Sequence, residues 1–130
     1  MKYKVVEAKL KTNKSQDYLW NNINSPIKLV KIEGFNTKSA IEQICKNSYK
    51  VMYKNDIVIL TFIPKKAVHV IFVGKRNYPL TWFEIHGETN CTIVHGEYKR
   101  IDSGMSKKNL EKEIEWLKNH FLEELKMIAE

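Results

Sequence analysis

The chain has 130 residues, 43% of them hydrophobic and 28% charged, and 22 Lys and Arg against 15 Asp and Glu give a formal charge of +7. That length suits one domain able to bury a core or enclose a cavity, and no apolar run approaches the ~18–20 residues that span a bilayer. Two cysteines without a CxxC spacing, Cys45 and Cys91, argue against a disulfide framework and predict two reduced, half-buried thiols. No charged-then-apolar leader opens the sequence, so a cytoplasmic protein is expected. The basic balance favours anionic partners without choosing among nucleic acid, an acidic membrane surface and a carboxylate or phosphate ligand.

Residues 3–12 alternate, with Val6, Ala8 and Leu10 on one side, and read as a strand. Asn13 is a candidate helix cap with Gln16 as its reciprocal partner. Leu19 and Ile23 share a helical face flanked by Tyr18 and Trp20. Ser25-Pro26 restarts a second short helix as cap and first position, with Ile27 and Val30 pointing one way and Gly34 as terminator. From residue 38 the period becomes two, predicting strands at about 39–46, 48–54, 57–64, 67–74, 80–87 and 91–101. Lys46-Asn47, Asn55-Asp56, Pro64-Lys65-Lys66, the 75–79 segment and Gly87 to Asn90 supply the turns. Ser106 then caps one long helix over 107–129, whose apolar stripe is Leu110, Ile114, Leu117, Phe121, Leu125 and Ile128. Trp116 is expected at the edge of that stripe, with Lys112 and Lys118 in solvent.

The order is strand, two short helices, six strands, long helix: an α+β chain of seven antiparallel strands curved around a C-terminal helix. With the stretch SQDYLWNNINSPIKL in second place, it resembles the START-like helix-grip superfamily, which includes polyketide cyclases and birch-pollen-allergen-type proteins. Within that superfamily it resembles small, Lys-rich proteins of thermoacidophilic archaea, a branch similar to fatty-acid carriers. The resemblance implies that the broken helix pair closes one end of the sheet beneath the long helix, and that a cavity lies between sheet and helix. No cofactor is expected.

Hairpin arithmetic assigns the cavity face independently. A two-residue turn at Asn55-Asp56 sets Tyr53 opposite Val58, Val51 opposite Leu60 and Tyr49 opposite Phe62, with Lys50 and Lys54 marking the other face as solvent. A turn at Gly87 to Asn90 sets Phe83 opposite Val94 and Ile85 opposite Thr92, placing Phe83, Ile85 and Val94 inside and Trp82, Glu84, His86, His95 and Glu97 outside. The β-hairpin at Pro64-Lys65-Lys66 has two readings. A two-residue turn points His69, Ile71 and Val73 inward; a three-residue turn points Val68, Val70 and Phe72 inward and His69 out. The same arithmetic across Lys46-Asn47 points Glu42 inward beside Val51.

The expected ligand-binding set is therefore Tyr49, Tyr53, Leu60, Phe62, His69, Phe72, Phe83, Ile85 and Val94 on the sheet with Leu117 and Phe121 on the helix. In a meander, the 54–56, 75–79 and 99–108 connections share one end. They gather Lys54, Lys75, Arg76, Lys99, Arg100, Lys107 and Lys108 against Asp56 and Asp102, a basic rim led by Lys75, Arg76 and Arg100 that would orient an anionic head group; lysines simply preferring solvated turns is the competing reading. His86, Cys91 and His95 match no zinc spacing and sit on the outer parity, so no metal is expected. Glu42 with His69 would make an acid/base pair if both face inward. The connection YKNDIV is no glycine-rich phosphate loop. The aromatics fall on the apolar parity rather than among the lysines, against specific nucleic-acid binding.

The reading that uses most of these features is the binding and carriage, without chemistry, of an apolar or amphipathic small molecule, a fatty acid or similar acyl lipid, compatible with transient contact at a membrane surface. A cyclase- or hydratase-like enzyme and a protein-interaction adaptor are the alternatives, the latter favoured by an exposed apolar patch containing Trp82.

Overall fold

Strand periodicity and turn residues generate a meander. In the computed structural model, which describes residues 2–32, 40–53 (without the Tyr53 side chain), 56–74, 80–102 and 104–130, the elements are β1 (Lys2–Lys11), α1 (Gln16–Asn21), α2 (Pro26–Ile32), β2 (Ala40–Cys45), β3 (Ser48–Tyr53), β4 (Asp56–Ile63), β5 (Ala67–Val73), β6 (Leu80–His86), β7 (Thr92–Ile101) and α3 (Lys107–Ala129). The seven strands form one antiparallel sheet ordered β1-β7-β6-β5-β4-β3-β2. Among the described residues no helix is long and apolar enough to cross a membrane.

The long helix spans the expected residues, and Ser106 caps it by accepting from the Asn109 backbone N–H. Lys112 and Lys118 are exposed. Trp116, however, lies outside the buried stripe, 64% exposed and stacked on His120, while Leu117, Phe121, Leu125 and Ile128 of the expected stripe are buried. α3 packs mainly against β1 and β7. Its C-terminus is held by the broken helix pair: Asn22 Nδ2 donates to the Ile128 carbonyl at 2.7 Å, and the Tyr18 hydroxyl donates to the Glu130 carbonyl. The α1 cap is Ser15 rather than Asn13, its hydroxyl accepting from Tyr18 N–H, because one turn begins two residues later than the sequence suggested. Ser25 Oγ accepts from Lys28 N–H. On α2 it is Leu29 and Val30 that are buried, and Ile27 faces solvent.

Turn lengths decide which side chains face the helix. Tyr53 pairs with Asp56, so the connection is residues 54–55 and Tyr49 stands opposite Leu60, not Phe62. This slip of two residues leaves every face unchanged, and Tyr49 still meets Phe62 edge-on with ring centres 5.6 Å apart. Between β4 and β5, Ile63 pairs with Ala67 across Pro64-Lys65-Lys66, and Lys65 takes a left-handed φ of 64°. Val68, Val70 and Phe72 therefore point inward, and His69 is exposed on the convex face. A register shift between Gln43 and Cys45 turns Glu42 away from Val51 to face Lys50, and all of β2 is exposed. Cys45 is exposed accordingly, whereas Cys91 is fully buried.

The largest departure is at β6–β7. Cys91 leaves the ladder to bond Lys14 and Thr12 through its backbone, so His86 pairs with Thr92 and the connection has one more residue than expected. One residue inverts a strand. His95 stands opposite Phe83, Ile93 opposite Ile85 and Glu97 opposite Thr81, while Val94, though buried, faces Glu84 on the convex side. On that side Gly96 lies beneath Trp82: a Cβ there would come within 2.7 Å of the indole and 2.9 Å of Glu7 Cγ.

Candidate functional site

Four cross-strand rows describe the concave face, the one farthest from the helix pair being Val51, Val58 and Phe72. Nearest the broken helix pair, Ile85 and Ile93 are opposed. Next come Phe62, Val68, Phe83, His95 and Ala8, and then Tyr49, Leu60, Val70, Thr81, Glu97 and Val6. From β3 to β5 these rows are apolar. Leu60, Phe62, Phe72, Phe83 and Ile85 belong to one buried cluster with Leu19, Ile23, Leu29, Leu125 and Ile128, against which Tyr49 packs. Leu117 and Phe121 form a smaller cluster with Val6. Of the expected ligand-binding set, these side chains converge on one face. His69 and Val94 do not, and the Tyr53 side chain lies outside the described residues.

On β7 the same rows turn polar beneath α3. His95, 1% exposed, is stacked on Phe83 at 3.9 Å and tilted against Phe121 at 4.2 Å. Its Nδ1 lies 2.9 Å from the Trp82 carbonyl oxygen; a carbonyl only accepts, so Nδ1 carries a proton. Nε2 is 2.7 Å from Glu124 Oε2, too oblique for a good hydrogen bond. Two lone pairs would repel at that range, so a proton resides on one of the two groups. Glu124 Oε1 meets His120 Nε2 at 2.9 Å. Burial pushes the Glu124 carboxyl up to about 7, with His120 opposing the shift. Burial likewise pushes Glu97 up to about 7; nearby Lys99 opposes it, while Glu124 and Glu113 add to it. Lys99 is itself buried and ion-paired with Glu113.

Sequence reasoning missed this centre. His95, Glu97 and Lys99 were assigned outward or to the rim, and Glu124 was passed over. A signal existed on the helix: Leu117, Phe121, Glu124 and Ile128 are spaced four, three and four, which places Glu124 inside the stripe.

The other candidates disperse. His86 is exposed and pairs with Glu84 at 2.9 Å, Cys91 is buried at the sheet end and His95 faces the helix, so they form no common site. Glu42 and His69 are both in solvent and make no acid/base pair. Among the described residues no three His, Cys, Asp or Glu side chains are arranged to hold a metal ion. Arg100 lies on the convex parity beside Asp102, 3.7 Å away; Lys75 and Arg76, with Lys54, lie outside the described residues. The convex face exposes Tyr3, Val5, Ile71, Val73 and Tyr98, while Trp82 is half-buried against Tyr98. An open cleft of about 690 Å³ at its edge is lined by His69, Glu84, His86 and Glu88.

No family model matches the chain, and no curated protein matches it in sequence. Solved structures do. A START superfamily protein from Mycobacterium smegmatis is 8% identical, with 98% of this chain and 97% of that one covered and a TM-score of 0.60. The di-domain ARO/CYC StfQ from the steffimycin biosynthetic pathway is 10% identical over 96% of this chain, with a TM-score of 0.69. DynU16, from the dynemicin biosynthetic locus, is 13% identical over 96% of this chain, with a TM-score of 0.58. This chain spans about half the length of the last two, 49% and 45%. Such identities carry the fold alone and lend no support to the narrower likeness to archaeal fatty-acid carriers. The sheet wrapped on a long C-terminal helix, with the helix pair closing one end, is the START-like helix-grip fold.

Proposed function

We propose that the protein binds an apolar or amphipathic small molecule on the concave face, with an acyl chain such as that of a fatty acid or similar lipid as the occupant, and carries it without chemistry. One observation supports this most: the apolar rows continue from β6 across β5, β4 and β3, beyond the strands against which α3 mainly packs. That surface is wider than α3 alone covers, and Leu19, Ile23 and Leu29 of the helix-pair segment share in covering it. Leu60, Phe62, Phe72, Phe83 and Ile85, with Tyr49 beside them and Leu117 and Phe121 above, would contact the chain. Leu60 and Phe72 are nearly fully covered, so a ligand enters by displacing covering groups rather than by filling open space. The carboxyls of Glu97, Glu113 and Glu124 repel an anionic head group from the centre; Lys75 and Arg76, between β5 and β6 in sequence, would hold it outside. Proteins named START and ARO/CYC share the fold, in keeping with a hydrophobic ligand. Native mass spectrometry of the purified protein tests the reading: lipid adducts that survive desalting are expected, and a uniformly bare protein would count against it.

A second reading has its own observation. The buried His95–Glu124 pair, with half-exposed His120 on the other carboxylate oxygen, has the equipment of a general acid or base, and would make the protein an enzyme of the cyclase or hydratase kind on a hydrophobic substrate. Conversion of a bound ligand, abolished by Glu124→Gln with binding retained, would favour it over carriage.

A further inference from the structure

Thr81 on β6 and Glu97 on β7 stand directly opposite each other on the concave face, which brings the Cβ atoms of such a pair to about 4.5–5.5 Å. Each is 4% exposed. The Thr81 hydroxyl has no hydrogen-bond partner among the described residues, so it is not bonded to the Glu97 carboxyl, on which Lys99 acts as the opposite charge. Buried polar groups are almost always partnered. A hydroxyl beside a carboxyl that does not bond it leaves both available to a third group.

The surroundings select that group. On β5 Val70 faces Thr81, and on β4 Leu60 faces Val70, so an apolar chain lying over β4 and β5 ends at the pair. Two strand spacings, about 10 Å, separate Leu60 from Thr81. A carboxylate there would meet Glu97 with Glu113 and Glu124 close by, while an ammonium, drawn by those carboxyls, would have to share them with Lys99 and would lose its hydration on entry. A neutral hydroxyl donates once and accepts once, which satisfies both groups without adding charge.

We infer that Thr81 and Glu97 form a subsite for an uncharged hydroxyl at the end of an otherwise apolar ligand chain, the ligand donating to Glu97 and accepting from Thr81. The inference rests on the ligand-binding reading above and narrows it from acyl lipids in general to hydroxyl-bearing ones.

Titration of the full chain with tetradecan-1-ol, its methyl ether, tetradecylamine and tetradecanoate tests it. The alcohol should bind at least tenfold more tightly than the ether. Thr81→Val, which keeps the side-chain shape, and Glu97→Met should each shrink that ratio to about threefold or less while ether affinity holds or rises. Stability of apo Thr81→Val should match or exceed the wild type, because the orphaned hydroxyl is gone. An unchanged alcohol-to-ether ratio in both variants would overturn the subsite but leave ligand binding standing. Tightest binding by the amine would overturn it in favour of a cation site, and tightest binding by tetradecanoate in favour of a carboxylate site. If none of the four probes binds, the ligand-binding reading fails and the subsite with it.

Discussion

Glu124 and Leu125 are adjacent on α3 and both buried, yet they enter different environments. Leu125 joins Ile128, Leu19, Ile23, Phe83 and Ile93 in a cluster of hydrocarbon, where covering area is favourable whatever the partner, at about 25 cal/mol per Å². Glu124 meets His95 and His120, with Glu97, Lys99 and Glu113 close by. There each charge taken from water costs several kcal/mol, which its partners only partly offset. The apolar region holds the helix on the sheet. The polar region, on β7 beneath the same helix, weakens that interface, because its buried groups are only partly partnered.

If that division is right, Leu125→Ala should be the most damaging change, losing about 2–5 kcal/mol through transfer and cavity terms, read as a lowered urea midpoint. A loss below about 1 kcal/mol would mean that the cluster is not the anchor. Gly96→Ala strikes β7 from the convex side, where the new methyl meets the Trp82 indole and Glu7. It should cost about 1–3 kcal/mol as overpacking and displace His95 and Glu97 on the other side, visible as a changed pH dependence of stability.

The polar region should declare itself through pH. Glu97 and Glu124 have folded pKa values raised from 4.5 to about 7, so the folded state holds protons that the unfolded state has released. Their contribution to stability is therefore greatest below about 4.5, falls as pH rises to about 7 and is level above. Glu97→Gln removes one such group. It should stabilise the protein by on the order of 1–2 kcal/mol at pH 8 and change little at pH 4, measured as denaturant midpoints at the two values. Destabilisation at pH 8 would show that the carboxylate has a partner that matters. The smallest effects belong to the convex face: His69→Ala and His86→Ala should stay within about 0.5 kcal/mol and leave ligand affinity unchanged, because both rings are in solvent.

Element order, the bounds of α3 and the inward parity of β3, β4 and β6 were legible because long periodic segments state their own faces. The polar centre was not, for a physical reason. A strand's face depends on the parity of its turn, and the β6–β7 connection gains one residue when Cys91 bonds the segment after β1, a contact 79 residues away for the Thr12 hydroxyl. No local pattern encodes that. β7 also misled by composition: Val94 fits an apolar face and His95 and Glu97 a wet one, the reverse of where they lie. The edge strand β2 failed for a related reason, a bulge that turns Glu42 outward.

The central claim, that the concave face accepts an apolar chain, is tested most directly by calorimetric titration with saturated fatty acids of increasing length. Each added methylene buried there is worth about 0.8 kcal/mol, or about fourfold in affinity. Affinity should climb by about that factor per carbon until the surface over β3–β6 is covered, and Leu60→Phe, which fills space while keeping the row apolar, should stop the climb at a shorter chain. Binding that is absent at every length, or flat with length, would contradict the account.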